Sequence, residues 1–348
     1  MKRPVLSICI PTYNRGGFAK NAVENVLNSW KGDDIEVVVS DNCSQDNTKE
    51  LLEQIEDHRF SYYRNNENLG AAYNTHLTFM KAKGEYAYLT SDEDDIIISE
   101  IPYLINYFKT NPQTSIFIGG GDLRYTKKRF EDRIYKTPFE ALKAIAFQTR
   151  YMTGIILNQK LYAEKVGNVK FEESPQIWDA YSFMYAMAHL CCYGEVVTSS
   201  HLLFNQTRFT MTDISNNART DGVYYYEPQG RINQMQVWSN TIIKLPLTEF
   251  EKQYMVIKII YDTMMLATRI FTPGYIDEVK KTVPANDFVI YFDRVKSLNK
   301  EKLAREIVNA GRESFYHLFG VEIDDREDTE LYSYYLQQEA ELKKRIEM

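Results

Sequence analysis

Four consecutive acids, Asp92, Glu93, Asp94 and Asp95, lie between two apolar runs in the stretch LTSDEDDIII, residues 89–98. Like charges at this spacing repel, and each carboxylate is costly to remove from water unless something positive sits among them. A divalent cation that shares its coordination shell with a substrate diphosphate, as Mg2+ or Mn2+ commonly does, is one answer. Asp92 and Asp94, one residue apart on a turn, could then place one carboxylate on the metal and another on a sugar hydroxyl. A solvated acidic turn that caps a helix has the same spacing, so the residues alone leave both readings open. An EF-hand loop does not fit, because its fifth and sixth positions would be Ile96 and Ile97, where an oxygen ligand and a glycine are required.

Chemistry at residue 92 needs a scaffold, and the chain from residue 5 to about 119 spells one. Short β-branched runs, VLSICI (5–10), IEVVVS (35–40), FSYYR (60–64), YAYLT (86–90) and SIFIG (115–119), alternate with segments of helical period. One helix carries Phe18, Ala22, Val23, Val26, Leu27 and Trp30 on a face, the next Leu51, Leu52 and Ile55. A third carries Leu69, Tyr73, Leu77 and Met80 and can stop at Gly84. Strands separated by helices need crossovers, so the expected fold is α/β, a mostly parallel sheet flanked by helices. Ligands in such sheets sit at the carboxyl ends of the strands. The residues there are Pro11-Thr12-Tyr13-Asn14-Arg15, Asp41-Asn42, Arg64-Asn65-Asn66 and Ser91-Asp92-Glu93-Asp94, so all four polar sets should line one crevice.

Beyond residue 120 the pattern weakens. YMTGIILN (151–158) and EVVTS (195–199) read as strands, IWDAYSFMYAMAHL (177–190) as a helix, and about 205–235 as loop-rich. From about 248 helical stripes dominate, one with Val256, Ile260, Thr263, Ala267 and Ile270, another with Leu303, Ile307, Ala310 and Phe315. The expected division is an α/β catalytic domain over 1–210, a loop-rich connection over 211–245 and a mainly helical region over 246–348.

Composition sets limits. With 348 residues, 44% hydrophobic and 26% charged, the chain has a globular profile. A net charge of −7 offers no footprint for a nucleic-acid backbone. Cys9, Cys43, Cys191 and Cys192 form neither a disulfide framework nor metal-ligand spacing, which fits a reducing cytosol. The opening MKRPVLSICIP has too short an apolar run for a signal peptide, and no run of 18 apolar residues occurs, so a cytoplasmic, soluble protein is expected. The helical region, with 12 Lys/Arg against 9 Asp/Glu in 244–312, could make a weak peripheral contact at the inner face of a membrane or a homo-oligomer. A Gly-rich dinucleotide fingerprint and a Gly-Lys-Ser/Thr phosphate loop are both missing, which removes the usual scaffolds for hydride transfer and nucleoside-triphosphate hydrolysis.

Taken in order and spacing, VLSICIPTYNR, IEVVVSDNCSQDNT and NENLGAAYNTHLTFMKAKGEYAYLTSDEDD resemble the family 2 glycosyltransferases of the GT-A fold, over roughly residues 5–119. The resemblance implies an inverting, metal-dependent transferase with a Rossmann-like sheet, in which Pro11, Thr12, Tyr13 and Asn14 cradle the nucleotide base. It assigns Asp41 to the pyrimidine ring, with Ser40 where the family usually has a first acid. It places the metal on the acidic run, with Asp94 and Asp92 as the candidates and the carboxylate among 92–95 that meets it left open, and with Thr90 where the family has its first acid; Asp92 also serves the nucleotide sugar. Elementary chemistry agrees, since a carboxylate such as Asp41 can accept the uracil imide N–H, Tyr13 can stack on the ring, and Arg15 and Arg64 can meet the diphosphate. In related enzymes the general base is a carboxylate near a helix start well after the metal motif. Here ESPQIWDAYSF offers Asp179, with Trp178 in place of the usual Glu; a first-turn acid favoured by the helix dipole would look the same. His201 reads first as structural, and as a metal or phosphate contact second. Cys191 and Cys192 read as core.

The function expected is transfer of a sugar from a nucleotide donor, UDP-linked, to a hydroxyl of a glycan or lipid-linked saccharide in surface polysaccharide synthesis, with Mn2+ or Mg2+ as cofactor. Two other readings stand beside it. A degenerate GT-A domain that only binds glycan or a partner is suggested by the lost acids at Ser40 and Thr90. A sugar nucleotidyltransferase shares the sheet but would want a Gly-rich triphosphate loop where PTYNR stands.

Overall fold

The computed structural model describes residues 3–122, 130–147, 151–168, 183–206, 228–272, 274–277, 292, 296–324 and 329–347. The chain divides into two compact units, Met1–Arg208 and Phe209–Met348.

The first unit is built on a sheet that opens with β1 (Leu6–Thr12), β2 (Ile35–Asp41), β3 (Phe60–Arg64) and β4 (Tyr86–Leu89). The β2 segment IEVVVSD is buried at every position, as a parallel strand covered on both faces must be. Between these strands run α1 (Gly16–Ser29), α2 (Thr48–Leu52) and α3 (Ala71–Lys81). Then follow β5 (Asp95–Ile96), α4 (Ile101–Thr110), β6 (Thr114–Asp122), β7 (Arg133–Tyr135), α5 (Pro138–Ile145), β8 (Ile155–Asn158), α6 (Gln159–Lys165), α7 (Phe183–Leu190) and β9 (Glu195–Asn205). Across the sheet the order is β3-β2-β1-β4-β8-β6-β9-β5, with β7 also on β9. The block β3-β2-β1-β4 is parallel; β8 enters antiparallel between β4 and β6, and β6 and β9 are again parallel. The expected α/β sheet is present, and it is mixed rather than uniformly parallel, because the weakly patterned stretch after 120 supplies strands that run against the first block.

Pro11 is tolerated in a central strand for a local reason. Thr90 N bonds Cys9 O on the β4 side and Asn42 N bonds Thr12 O on the β2 side. Alternation therefore turns the N–H that Pro11 lacks towards β4 beyond the last ladder pair, Cys9 with Leu89. Helix α1 buries Ala19, Val23, Val26 and Leu27 on the sheet, and Arg59 closes its carboxyl end by donating to Leu27 O at 3.0 Å and Trp30 O at 2.5 Å. Helix α3 differs from its expected face. Its buried residues are Asn74, Thr75, His76, Thr78 and Phe79, while Met80 is exposed. Polar groups face inward there because the helix packs beside the strand ends and must satisfy their backbone.

The second unit contains α8 (Pro228–Ile243), α9 (Glu249–Ala267), α10 (Lys300–Phe319) and α11 (Thr329–Glu347). The α9 stripe expected from Val256, Ile260, Thr263 and Ala267 is buried, as are Leu303, Ile307 and Phe315 of α10. Helix α10 approaches α9 so closely at Gly311 that a Cβ there would lie 2.5 Å from the Ile260 side chain. Helix α8 falls inside the stretch read as a loop-rich connection. Its Gln, Asn, Ser and Thr positions dilute the apolar period, even though Met235, Trp238 and Ile242 are buried. No helix among the described residues is long and apolar enough to cross a membrane.

Candidate functional site

Strands β1 and β2 each end in a residue or turn with left-handed backbone. Asn14 has φ 53° and Cys43 φ 65°. Asn14 N donates to Ser44 Oγ at 2.8 Å, and Asn14 Oδ1 accepts from Gln45 N at 2.7 Å, so the two turns hold each other. Pro11 and Tyr13 are half-buried beside them, and Thr12 is buried. Gly16 opens α1 against the start of α2, where a Cβ would meet Thr48 Cα at 2.7 Å; its N–H donates to Asp46 Oδ2 at 3.2 Å.

Asp41 at the end of β2 is 0% exposed. Its Oδ1 accepts from Ser44 N at 2.8 Å and Ser44 Oγ at 2.5 Å, and its Oδ2 from Tyr62 OH at 2.7 Å, with Arg64 Nε at 3.4 Å. Burial and that bond to Asp41 push the Tyr62 hydroxyl well above the usual phenol range. Arg64 also donates to Ser44 O at 2.9 Å, so its guanidinium braces the β2 turn. Ser40, standing where an acid was expected, donates to Asn74 Oδ1 at 2.7 Å. Asn74 in turn donates to Ser40 O at 2.8 Å and accepts from Asn65 at 3.0 Å. One buried amide thus ties α3 to the turns after β2 and β3.

The acidic turn is fixed at both ends, by β4 in mid-sheet and by β5, which pairs with Phe204 and Asn205 of β9. Asp92 is 4% exposed; Thr12 Oγ1 donates to its Oδ2 at 2.7 Å and Arg15 Nη1 to its Oδ1 at 3.0 Å. The same Arg15 nitrogen lies 3.2 Å from Glu93 Oε2. Burial raises the Asp92 pKa, and Arg15 with Thr12 opposes the rise. Asp94 turns the other way. Tyr151 OH donates to its two oxygens at 2.7 and 2.8 Å and Thr153 Oγ1 to Oδ2 at 2.5 Å, and burial raises its pKa to about 6. Tyr151 is positioned by stacking on Phe204, with centroids 5.6 Å apart. Phe204 fits only because Gly121 and Gly154 lack side chains, a Cβ on either lying 2.2 or 2.8 Å from the ring.

The four polar sets expected at one sheet edge are therefore joined. Arg64, Asp41 and Ser44 connect to Asn14, and Arg15 and Thr12 connect to Asp92. Asp179 lies outside the described residues, as does Trp178. His201 is on an exposed part of β9, where it meets Glu100 at 3.1 Å and stacks on Tyr103 at 4.2 Å. Cys191 is buried and Cys192 half-buried. Sequence reasoning missed Ser44, Tyr62, Asn74, Tyr151 and Thr153. Ser44, three residues after Asp41, has the spacing of a side-chain turn, and Tyr62 shares the face of Arg64 in β3. Tyr151 and Thr153 carry no local signal, being about sixty residues from the acid they hold.

Three comparisons bear on this site. Residues 7–166 match the family model described as glycosyl transferase family 2. Abequosyltransferase RfbV of Salmonella typhimurium is 30% identical over 118 residues, which cover 33% of this chain and 35% of that protein. The GalNAc(5)-diNAcBac-PP-undecaprenol beta-1,3-glucosyltransferase of Campylobacter jejuni is 30% identical over 106 residues, 29% of this chain and 34% of that one. The chain thus spans about a third of the length of these curated relatives. Among solved structures, S. aureus TarS 1-349 in complex with UDP-GlcNAc matches with a TM-score of 0.61 at 13% identity, over 98% of this chain and 90% of that chain. Its complex with UDP gives 0.57 at 14% identity, over 98% and 88%. At that identity the likeness shows the fold.

Proposed function

Since residues 7–166 match the glycosyl transferase family 2 model, we propose that the chain transfers a sugar, with inversion, from a UDP-linked donor to a hydroxyl of a glycan or lipid-linked saccharide in surface polysaccharide synthesis. The observation that carries this reading is the pair of hydrogen-bonded links, Asp41 through Ser44 to Asn14 and Arg15 to Asp92, joined along the chain at Asn14-Arg15, at the carboxyl ends of β2, β1 and β4. The UDP and UDP-GlcNAc complexes of TarS, and the undecaprenol-linked saccharide in the name of the Campylobacter relative, support the choice of donor and acceptor class.

In this reading Tyr13 stacks on the uracil and Asp41 accepts its imide N–H in exchange for one of its present donors, Ser44 or Tyr62. Pro11, Thr12 and Asn14 shape the turn around the base, and Arg15 meets the diphosphate. Arg64 holds the Asp41 turn and presents its remaining donors to phosphate. Asp179, assigned on sequence alone, accepts the acceptor's proton as its oxygen attacks the anomeric carbon.

The resemblance implies Mg2+ or Mn2+. Among the described residues no group of three or more His, Cys, Asp or Glu is arranged to hold a metal, so a cation would draw on few protein oxygens and on the donor's phosphates, as Mg2+ sites commonly do. Asp92 Oδ1 and Glu93 Oε2 fit that demand, since they already converge on one positive group. Asp94, expected as a ligand with Asp92, spends its oxygens on Tyr151 and Thr153 and in this reading holds the shape of the turn. When bound, the metal would neutralise charge on the leaving diphosphate.

The test is a hydrolysis panel of nucleotide sugars. UDP sugars should turn over and GDP, CMP or dTDP sugars should not. Turnover of none, with protein that binds glycan, would favour the non-catalytic reading.

A further inference from the structure

The acids at 92 and 93 already hold a cation, and it belongs to the chain. Arg15 Nη1 is 3.0 Å from Asp92 Oδ1 and 3.2 Å from Glu93 Oε2. The other Asp92 oxygen is taken by Thr12, and Asp94 faces Tyr151 and Thr153. Asp92 Oδ1 and Glu93 Oε2 therefore meet at one guanidinium nitrogen. A hard cation needs such oxygens at about 2.0–2.1 Å, so metal and guanidinium exclude each other there. Arg15 stands just before α1 with φ −144° and ψ 41°, outside the helix, on a long side chain that is 16% exposed. It can leave the acids by side-chain rotation with the backbone in place. A diphosphate offers the same fork a bidentate partner of higher charge.

We propose that Arg15 is the resident counter-cation of the acidic turn, and that a divalent metal enters only as the guanidinium passes to the diphosphate of the donor. The inference rests on the donor-binding reading above. It replaces a site that waits open for metal with one in which donor and metal bind with positive coupling, each tightening the other by the same factor.

Mn2+ titrations followed by the paramagnetic resonance of the free ion test this on the full chain, without nucleotide and with UDP. Wild type without nucleotide should bind Mn2+ weakly. Arg15→Gln should bind it at least about tenfold more tightly, the low end of what a unit charge within 4–6 Å does to a carboxylate's affinity for a cation. UDP should tighten Mn2+ binding by wild type more than by Arg15→Gln, where the phosphates add ligands but no guanidinium is displaced. Arg15→Met, which keeps most of the apolar stem, repeats the comparison should the glutamine variant fold poorly, and adding Asp92→Asn should remove the gain. Equal Mn2+ affinity of wild type and the Arg15 variants without nucleotide, or a gain that survives Asp92→Asn, overturns the proposal. UDP binding by wild type is measured separately by calorimetry. Its absence would count against the donor-binding reading, while the nucleotide-free Mn2+ comparison would still decide the place of Arg15.

Discussion

Asp94→Asn should make the protein more stable at neutral pH, and only there. The Asp94 carboxylate is 3% exposed and accepts from Tyr151 and Thr153, yet burial raises its pKa from 3.8 to about 6. Between those values the folded chain holds more protons at this group than the unfolded chain. Stability therefore falls as pH rises from about 4 to about 6 and is level above. Two units at about 1.36 kcal/mol each set the scale at roughly 2–3 kcal/mol. Asparagine keeps the shape and one acceptor, and the two hydroxyls can rotate to accept from its amide. Guanidinium unfolding at pH 4, 5, 6 and 7 should show a mutant within about 0.5 kcal/mol of wild type at pH 4 and about 2 kcal/mol above it at pH 7. A mutant less stable than wild type at pH 7, or offset by the same amount at both ends, would refute the reasoning, because the ionised carboxylate would then be favoured by its surroundings.

Asp41→Ala should weaken UDP binding by roughly 1.5–3 kcal/mol, since a charged acceptor is removed; calorimetry on a variant with wild-type circular dichroism decides, and unchanged affinity removes Asp41 from the base site. Gly84→Ala would set a Cβ 2.6 Å from Ser7 Oγ and 2.8 Å from Ser7 N. That strand backbone cannot give way, so a loss of about 1–3 kcal/mol is expected in the same unfolding assay. Asp179→Asn should lower turnover about 100- to 10,000-fold with donor affinity little changed, in a steady-state assay paired with UDP calorimetry; wild-type turnover would exclude it as the base.

The strand ends were legible because a buried parallel strand announces itself by composition and its polar terminus by contrast. IEVVVSD turns polar at Ser40 and Asp41, where β2 stops. The acidic run was legible for the same reason, and its repulsion pointed to a missing positive charge. What supplies that charge was not readable, since Arg15 and Asp92 are 77 residues apart and meet only once β1 and β4 are neighbours. The inward face of α3 escaped for a related reason. A helix that buries Asn74 and Thr78 beside strand ends has no apolar stripe to count, so Leu77 and Met80 drew attention to the more exposed side. The partners of Asp94, Tyr151 and Thr153, could not be read because they lie in a stretch whose strand is only four residues long. Helix α8 was hidden by its own polar residues, which left a helical length without a clear period.

If the network from Asp41 to Asp92 is a uridine-diphosphate site, it should prefer UDP over purine nucleotides. Titration of UDP into the full chain by calorimetry with Mn2+ present, alongside ADP and GDP, tests it most directly. Saturable binding of UDP at one per chain, with little or no heat from the two purine nucleotides, is the predicted result. No binding of UDP, or equal binding of all three, would contradict the account.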